Sequence, residues 1–270
     1  MKKLNIITLL VLCIAVVGTL TFASCSDTGK ASSKVEASSK QNFSDAVLSS
    51  DKKTSAADEI NSATDSIQTM PENPDTEPVS LSDALFIGDS RTVGIMEYAK
   101  LNDADFFCSV GMNVFDIFKT RVSVPRVGKV MLNELLSDKK YGKIYLMLGI
   151  NELGYNFKSI INKYGELIEF VKNSQPDAQI FIQANLHVSK KRSDGDGYIN
   201  NTAINKLNSE LSKFADNKRI YYIDANCLFD DDNGNLSADK TSDNAHLYAK
   251  YYVDWGEWIC KETAKCIEGE

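Results

Sequence analysis

ALFIGDSRTVG, residues 84–94, is an apolar run that ends on Gly-Asp-Ser and passes into a helix-compatible segment. The order strand, tight turn, helix is the opening unit of a sheet fold in which helices cross between strands. Further along, short apolar runs at 105–109, 143–148, 179–184 and 220–224 read as four more strands. Between and after them, helical patterns fall at 92–100, 126–136, 157–174, 200–216 and 249–265. Alternation of this kind predicts an α/β domain with a parallel sheet covered on both faces. In open parallel sheets, sites gather at the carboxyl ends of the strands. The polar residues that follow each strand are therefore the ones to weigh.

Upstream the chain changes character. Lys2 and Lys3 precede an apolar run at 6–17, and small residues lead to Cys25, the pattern of an export signal. Ala23-Ser24-Cys25 resembles a bacterial lipobox, with Cys25 as the lipidated first residue of the mature chain, although Phe22 stands where an aliphatic residue is usual. The other reading is an uncleaved anchor, since 4–23 is long enough to span. Both place the remainder on the outer face of the cytoplasmic membrane. Residues 26–80 are rich in Ser, Lys, Asp, Glu, Ala and Thr and poor in large apolar side chains. They cannot bury enough apolar area to offset their ordering entropy and read as a tether. The expected division is thus leader 1–25, tether 26–80 and one folded domain at 81–270.

With 43% hydrophobic and 25% charged residues, the chain has the makings of an ordinary core. A net charge of -7 with no basic cluster beyond Lys190-Lys191-Arg192 argues against nucleic acid as a partner. Cys13 and Cys25 belong to the leader. Cys108, Cys227, Cys260 and Cys266 form no CxxC pair, and with only two histidines neither a metal site nor another cofactor is expected.

Four short segments follow strands or precede the last helix. Gly88-Asp89-Ser90 would expose a serine hydroxyl on a tight turn beside helix N–H groups, though alone it is equally a common turn. Gly111 lets backbone approach a ligand closely, and Asn151, in Gly149-Ile150-Asn151-Glu152, could donate its amide to an oxyanion or simply cap a turn. Asp243 lies three residues before His246, a spacing that brings carboxylate and imidazole together and fixes the tautomer of a general base. A lone pair of this kind is also half a metal site or a surface ion pair.

Taken in order, these blocks resemble the SGNH hydrolases, also called the GDSL esterase/lipase family, over about 81–267. The resemblance implies a three-layer α/β/α, flavodoxin-like domain with Ser90 as nucleophile, His246 as general base and Asp243 as its orienting partner. It further implies an oxyanion hole made of the Ser90 and Gly111 N–H groups and the Asn151 side chain. Two departures stand out: Glu152 replaces the usual aspartate after Asn151, and Asn244 replaces the glycine often found after the aspartate of the last block.

Among other residues, His187 could line an acyl or alcohol pocket or pack for structure, and Arg91 could meet an anionic substrate or stay solvated. The charged loop 190–198 lies on the site side and is either a substrate selector or a solvated loop. Asp194-Gly195-Asp196-Gly197 and Asp230-Asp231-Asp232-Asn233-Gly234 miss the calcium-loop register and read as turns. The expected function is hydrolysis of short acyl esters through an acyl-enzyme, with acetylated glycans as the favoured partners and no apolar lid for free lipid. Acyl transfer to a sugar hydroxyl, and a non-catalytic module that binds glycan or an envelope protein in the same cleft, are the alternatives.

Overall fold

The computed structural model describes residues 79–269. The expectations for 1–25, with Cys25, and for the tether at 26–78 lie outside them.

Five parallel strands form the sheet: β1 (Ala84–Gly88), β2 (Asp105–Cys108), β5 (Lys143–Met147), β6 (Gln179–Gln183) and β7 (Ile220–Ile223). Their order is β2-β1-β5-β6-β7. Numbered by sheet strand alone this is the flavodoxin-type order, whose crevice opens where the winding reverses beside the first strand. The strands are apolar at almost every position because both faces are covered. Alternation divides them: Leu85 and Ile87 enter one core, Ala84 and Phe86 the other.

The first core is closed by α2 (Leu132–Asp138), α3 (Phe157–Ser174) and α5 (Asn201–Leu211). Along α3, Ile160, Tyr164, Leu167, Ile168 and Val171 recur at helical spacing and are the buried residues. The second core is closed by α1 (Ser90–Tyr98), the short α6 (Asn226–Phe229) and α7 (Ala249–Glu268), with Trp255 and Ile259 fully buried. On this face one ring from each strand stacks on the next across the sheet. Phe106, Phe86, Tyr145, Phe181 and Tyr221 have centroids 5.0, 4.3, 4.9 and 5.3 Å apart. They are register partners on neighbouring strands, so the pairing itself brings the rings together. Helices α1 and α7 pack on each other where Gly94 leaves room for the Tyr252 ring.

One element differs from expectation. The stretch 126–136 is not one helix: β3 (Val122–Val124) and β4 (Gly128–Val130) form an antiparallel hairpin, and only then does α2 begin. Arg126 and Gly128 both take positive φ, +66° and +108°, which no helix contains. The Arg126 guanidinium clamps the hairpin to the start of β2, donating to the Asn102 and Ala104 carbonyls and to Asp105. The helix expected at 200–216 ends sooner, as α5 gives way to a 3-10 turn at Ser212–Phe214. The charged loop contains a single helical turn, α4 (Lys190–Ser193).

Candidate active site

Ser90 opens α1, directly after β1, the strand flanked by β2 and β5. Gly88 is required at this bend, since a Cβ there would lie 1.9 Å from Thr92 Oγ1 and 2.8 Å from the Met147 carbonyl oxygen. Asp89 is the N-cap, its Oδ1 accepting the Arg91 N–H at 3.0 Å. Being the first helical residue, Ser90 has a backbone N–H with no intrahelical acceptor. Full burial raises the Asp89 carboxyl above its ordinary range, against the pull of Arg91 and of its bond to the Arg91 N–H.

The Ser90 hydroxyl meets a residue 156 positions away: Oγ lies 2.8 Å from His246 Nε2. His246 Nδ1 in turn lies 2.6 Å from Asp243 Oδ2. A carboxylate only accepts, so the Nδ1 proton is directed to Asp243 and Nε2 is left as the acceptor facing serine. Asp243 Oδ1 also accepts the N–H groups of Ala245 at 2.9 Å and His246 at 2.8 Å. Burial on its own would raise Asp243, but these bonds outweigh it and hold the carboxyl well below the usual carboxylate range. Asn244, at φ +68°, turns the chain between the two residues, and its side chain and carbonyl receive the Ser189 hydroxyl and N–H.

Two further loops are joined through Asn151, which borders the cavity at Ser90. Gly111, in the loop after β2, has φ +76°, a left-handed turn that favours glycine. Asn151, after β5, donates its amide to the Met112 carbonyl at 3.0 Å, with Asp89 Oδ2 more distant at 3.5 Å. An amide carries two N–H groups, and Met112 takes one. Glu152 is 1% exposed; its Oε1 accepts the Val114 N–H at 2.6 Å while Oε2 has no partner. Burial pushes this carboxyl up to about 7, offset in part by the Val114 bond. The residue that departs from the family pattern thus ties the Asn151 loop to the Gly111 loop.

A cavity of about 70 Å³ lies at this junction, bordered by Ser90, His246, Asn151, Ile150, Arg192 and Ile199. Arg91 also borders it, but the residue is 3% exposed and its guanidinium donates to the Leu186 and Ala245 carbonyls, so it is not a solvated helix-start arginine. His187 does not border the cavity: its ring is bonded to Asp230 and Asn205, each at 2.7 Å, and serves the loops after β6 and β7. The structure therefore brings together Ser90, Asp243, His246 and Asn151 and leaves His187 aside. Arg192 brings the charged loop 190–198 to the cavity, as one of its two readings had it; unforeseen from sequence were Ile199 at the cavity and an asparagine lattice nearby. There the Asn208 side chain accepts the Asn185 N–H and donates to the Asn185 carbonyl, the Asn185 amide donates to the Leu148 carbonyl, and Asn226 Oδ1 accepts the His187 N–H. The signal for the lattice was an asparagine just after each of β5, β6 and β7.

Comparison with known proteins bears on family and fold. The family described as GDSL-like lipase/acylhydrolase matches residues 86–252, more than half of the chain, and the chain belongs to that family. Its class is that of the serine ester hydrolases. Among solved structures, a GDSL-like lipase from Bacteroides thetaiotaomicron is 15% identical, with a TM-score of 0.51 over 70% of this chain and 90% of that one. A Bacteroides fragilis protein described as an acylhydrolase is 14% identical, with a TM-score of 0.51 over 73% and 90%. At such identities the likeness is one of fold. No curated protein is significantly similar in sequence.

Proposed function

We propose that this chain is an extracytoplasmic serine esterase that removes short acyl groups, acetyl above all, from glycans. The observation that carries the reading is the continuous chain Ser90 Oγ, His246 Nε2, His246 Nδ1, Asp243 Oδ2, with links of 2.8 and 2.6 Å. Ser90 attacks the ester carbonyl as Nε2 takes its proton, and the imidazolium is held by Asp243. The developing oxyanion is received by the Ser90 and Gly111 N–H groups and the Asn151 amide. His246 then protonates the departing alcohol, and water, activated by the same imidazole, frees the acid. Asp243, held low by its bonds to the His246 and Ala245 N–H groups, stays ionised and keeps its acceptor on His246 Nδ1. The small cavity at Ser90 supports a short acyl group rather than a long one.

Ser90→Ala is expected to abolish hydrolysis of a short-chain nitrophenyl ester and labelling by a fluorophosphonate probe, with circular dichroism unchanged. Undiminished turnover in that variant would overturn the reading. Asn151→Ala is expected to lower kcat by about 10²–10³-fold in the same assay.

The leader at 1–25 supports export, with Cys25 as the lipid-bearing residue. Fatty-acid labelling of the whole chain in a bacterial host, lost on Cys25→Ala, is the expected result; equal labelling of both would remove the anchor.

A further inference from the structure

Resting on the esterase reading, we propose that the substrate's alcohol part carries an anionic group, a carboxylate or a phosphate, and that Arg192 binds it. Arg192 borders the cavity at Ser90 and His246, and also a neighbouring cavity of about 330 Å³ walled by Leu153, Tyr198 and Ile199. It thus stands between the place where the acyl carbon must sit and the larger space open to the alcohol. Within α4, Lys190 is paired to Asp194 at 2.7 Å. Among the described residues the Arg192 guanidinium has no hydrogen-bond or ion-pair partner, although it is close enough to repel Arg91. Arg192 is exposed at the cleft, and its planar guanidinium has the fork geometry that pairs bidentately with a carboxylate or a phosphate.

The turn that bears Arg192 is held at both ends. Ser189, its N-cap, gives its N–H and hydroxyl to Asn244, which lies between Asp243 and His246. Ser193 Oγ accepts the Asn201 N–H at the start of α5. The cation is therefore placed relative to the histidine loop rather than left on a free segment, which lowers the entropy lost when an anion binds. Tyr198 is 74% exposed, lies against Gly154 and lines the larger cavity together with Arg192. A sugar ring lying on Tyr198 would present its charged substituent to Arg192.

The test compares acetate release from three esters matched in acetyl position: mono-O-acetyl glucose, mono-O-acetyl glucuronic acid and mono-O-acetyl glucose 6-phosphate. The whole chain is expected to favour at least one anionic ester over the neutral one by about tenfold or more in kcat/KM, the magnitude of a charge-assisted hydrogen bond. Whichever anion is favoured identifies carboxylate or phosphate as the group bound. That preference should shrink as salt rises. It should fall to near unity in Arg192→Gln, invert in Arg192→Glu and partly return in Arg192→Lys, mainly through KM. Hydrolysis of the neutral ester at least as fast as of both anions, or a preference that survives Arg192→Gln, overturns this inference and leaves the esterase standing. Failure on all three esters and on a nitrophenyl acetate overturns the esterase reading, and this inference with it.

Discussion

At the scale of single residues, the site depends on groups whose protonation is set by what surrounds them. Glu152 is the sharpest case. Its carboxyl is about 7 in the fold against an ordinary value of 4.5, so between those limits the folded chain keeps a proton that the unfolded chain has released. Stability must then decline as pH rises through that window, by up to about 3 kcal/mol. Glutamine keeps an acceptor for the Val114 N–H and has no charge to bury. Glu152→Gln is therefore expected to melt increasingly above the parent between about pH 5 and pH 8; parallel melting curves would refute the buried-carboxyl account. Ser90, Asp243 and His246 were legible only as a set: each block alone is an ordinary turn or ion pair, and their order at strand ends and before the last helix singled them out. The role of Glu152 was not legible, since it depends on Val114, 38 positions away; of the loop 190–198 the site side was legible, but not that Arg192 borders the cavity.

At the scale of elements, the fit of α1 to α7 matters most, because α1 begins with Ser90 and α7 follows His246 within three residues. A Cβ at Gly94 would lie 2.2 Å from the Tyr252 ring. Gly94→Val must part the two helices, at a cost of about 1–3 kcal/mol for overpacking. Urea unfolding is expected to show that loss, and kcat to fall with it as His246 moves off Ser90. A variant as stable and active as the parent would mean that α7 yields without moving the histidine. Long amphipathic helices such as α3 and α7 were readable from periodicity alone. The 126–136 stretch was misread because its apolar residues also fit a helical period, while the turn at Pro125-Arg126 is confirmed only by the clamp onto β2.

At the scale of the molecule, the alternation of strands and helices made the parallel sheet legible, and the winding order placed the cleft. The aromatic stack across one face was hidden, because each of its five rings looks like any buried residue until the register sets them side by side. The same long-range economy governs the site. Nucleophile and base are contributed by opposite ends of the folded domain and meet in one hydrogen bond across 156 positions. On the proposed mechanism, synthesis yields the serine early and its base late, so a chain that ends before His246 lacks the base. In that mechanism completion of the fold is what activates the serine, and hydrolysis reports that the last helix has found its place.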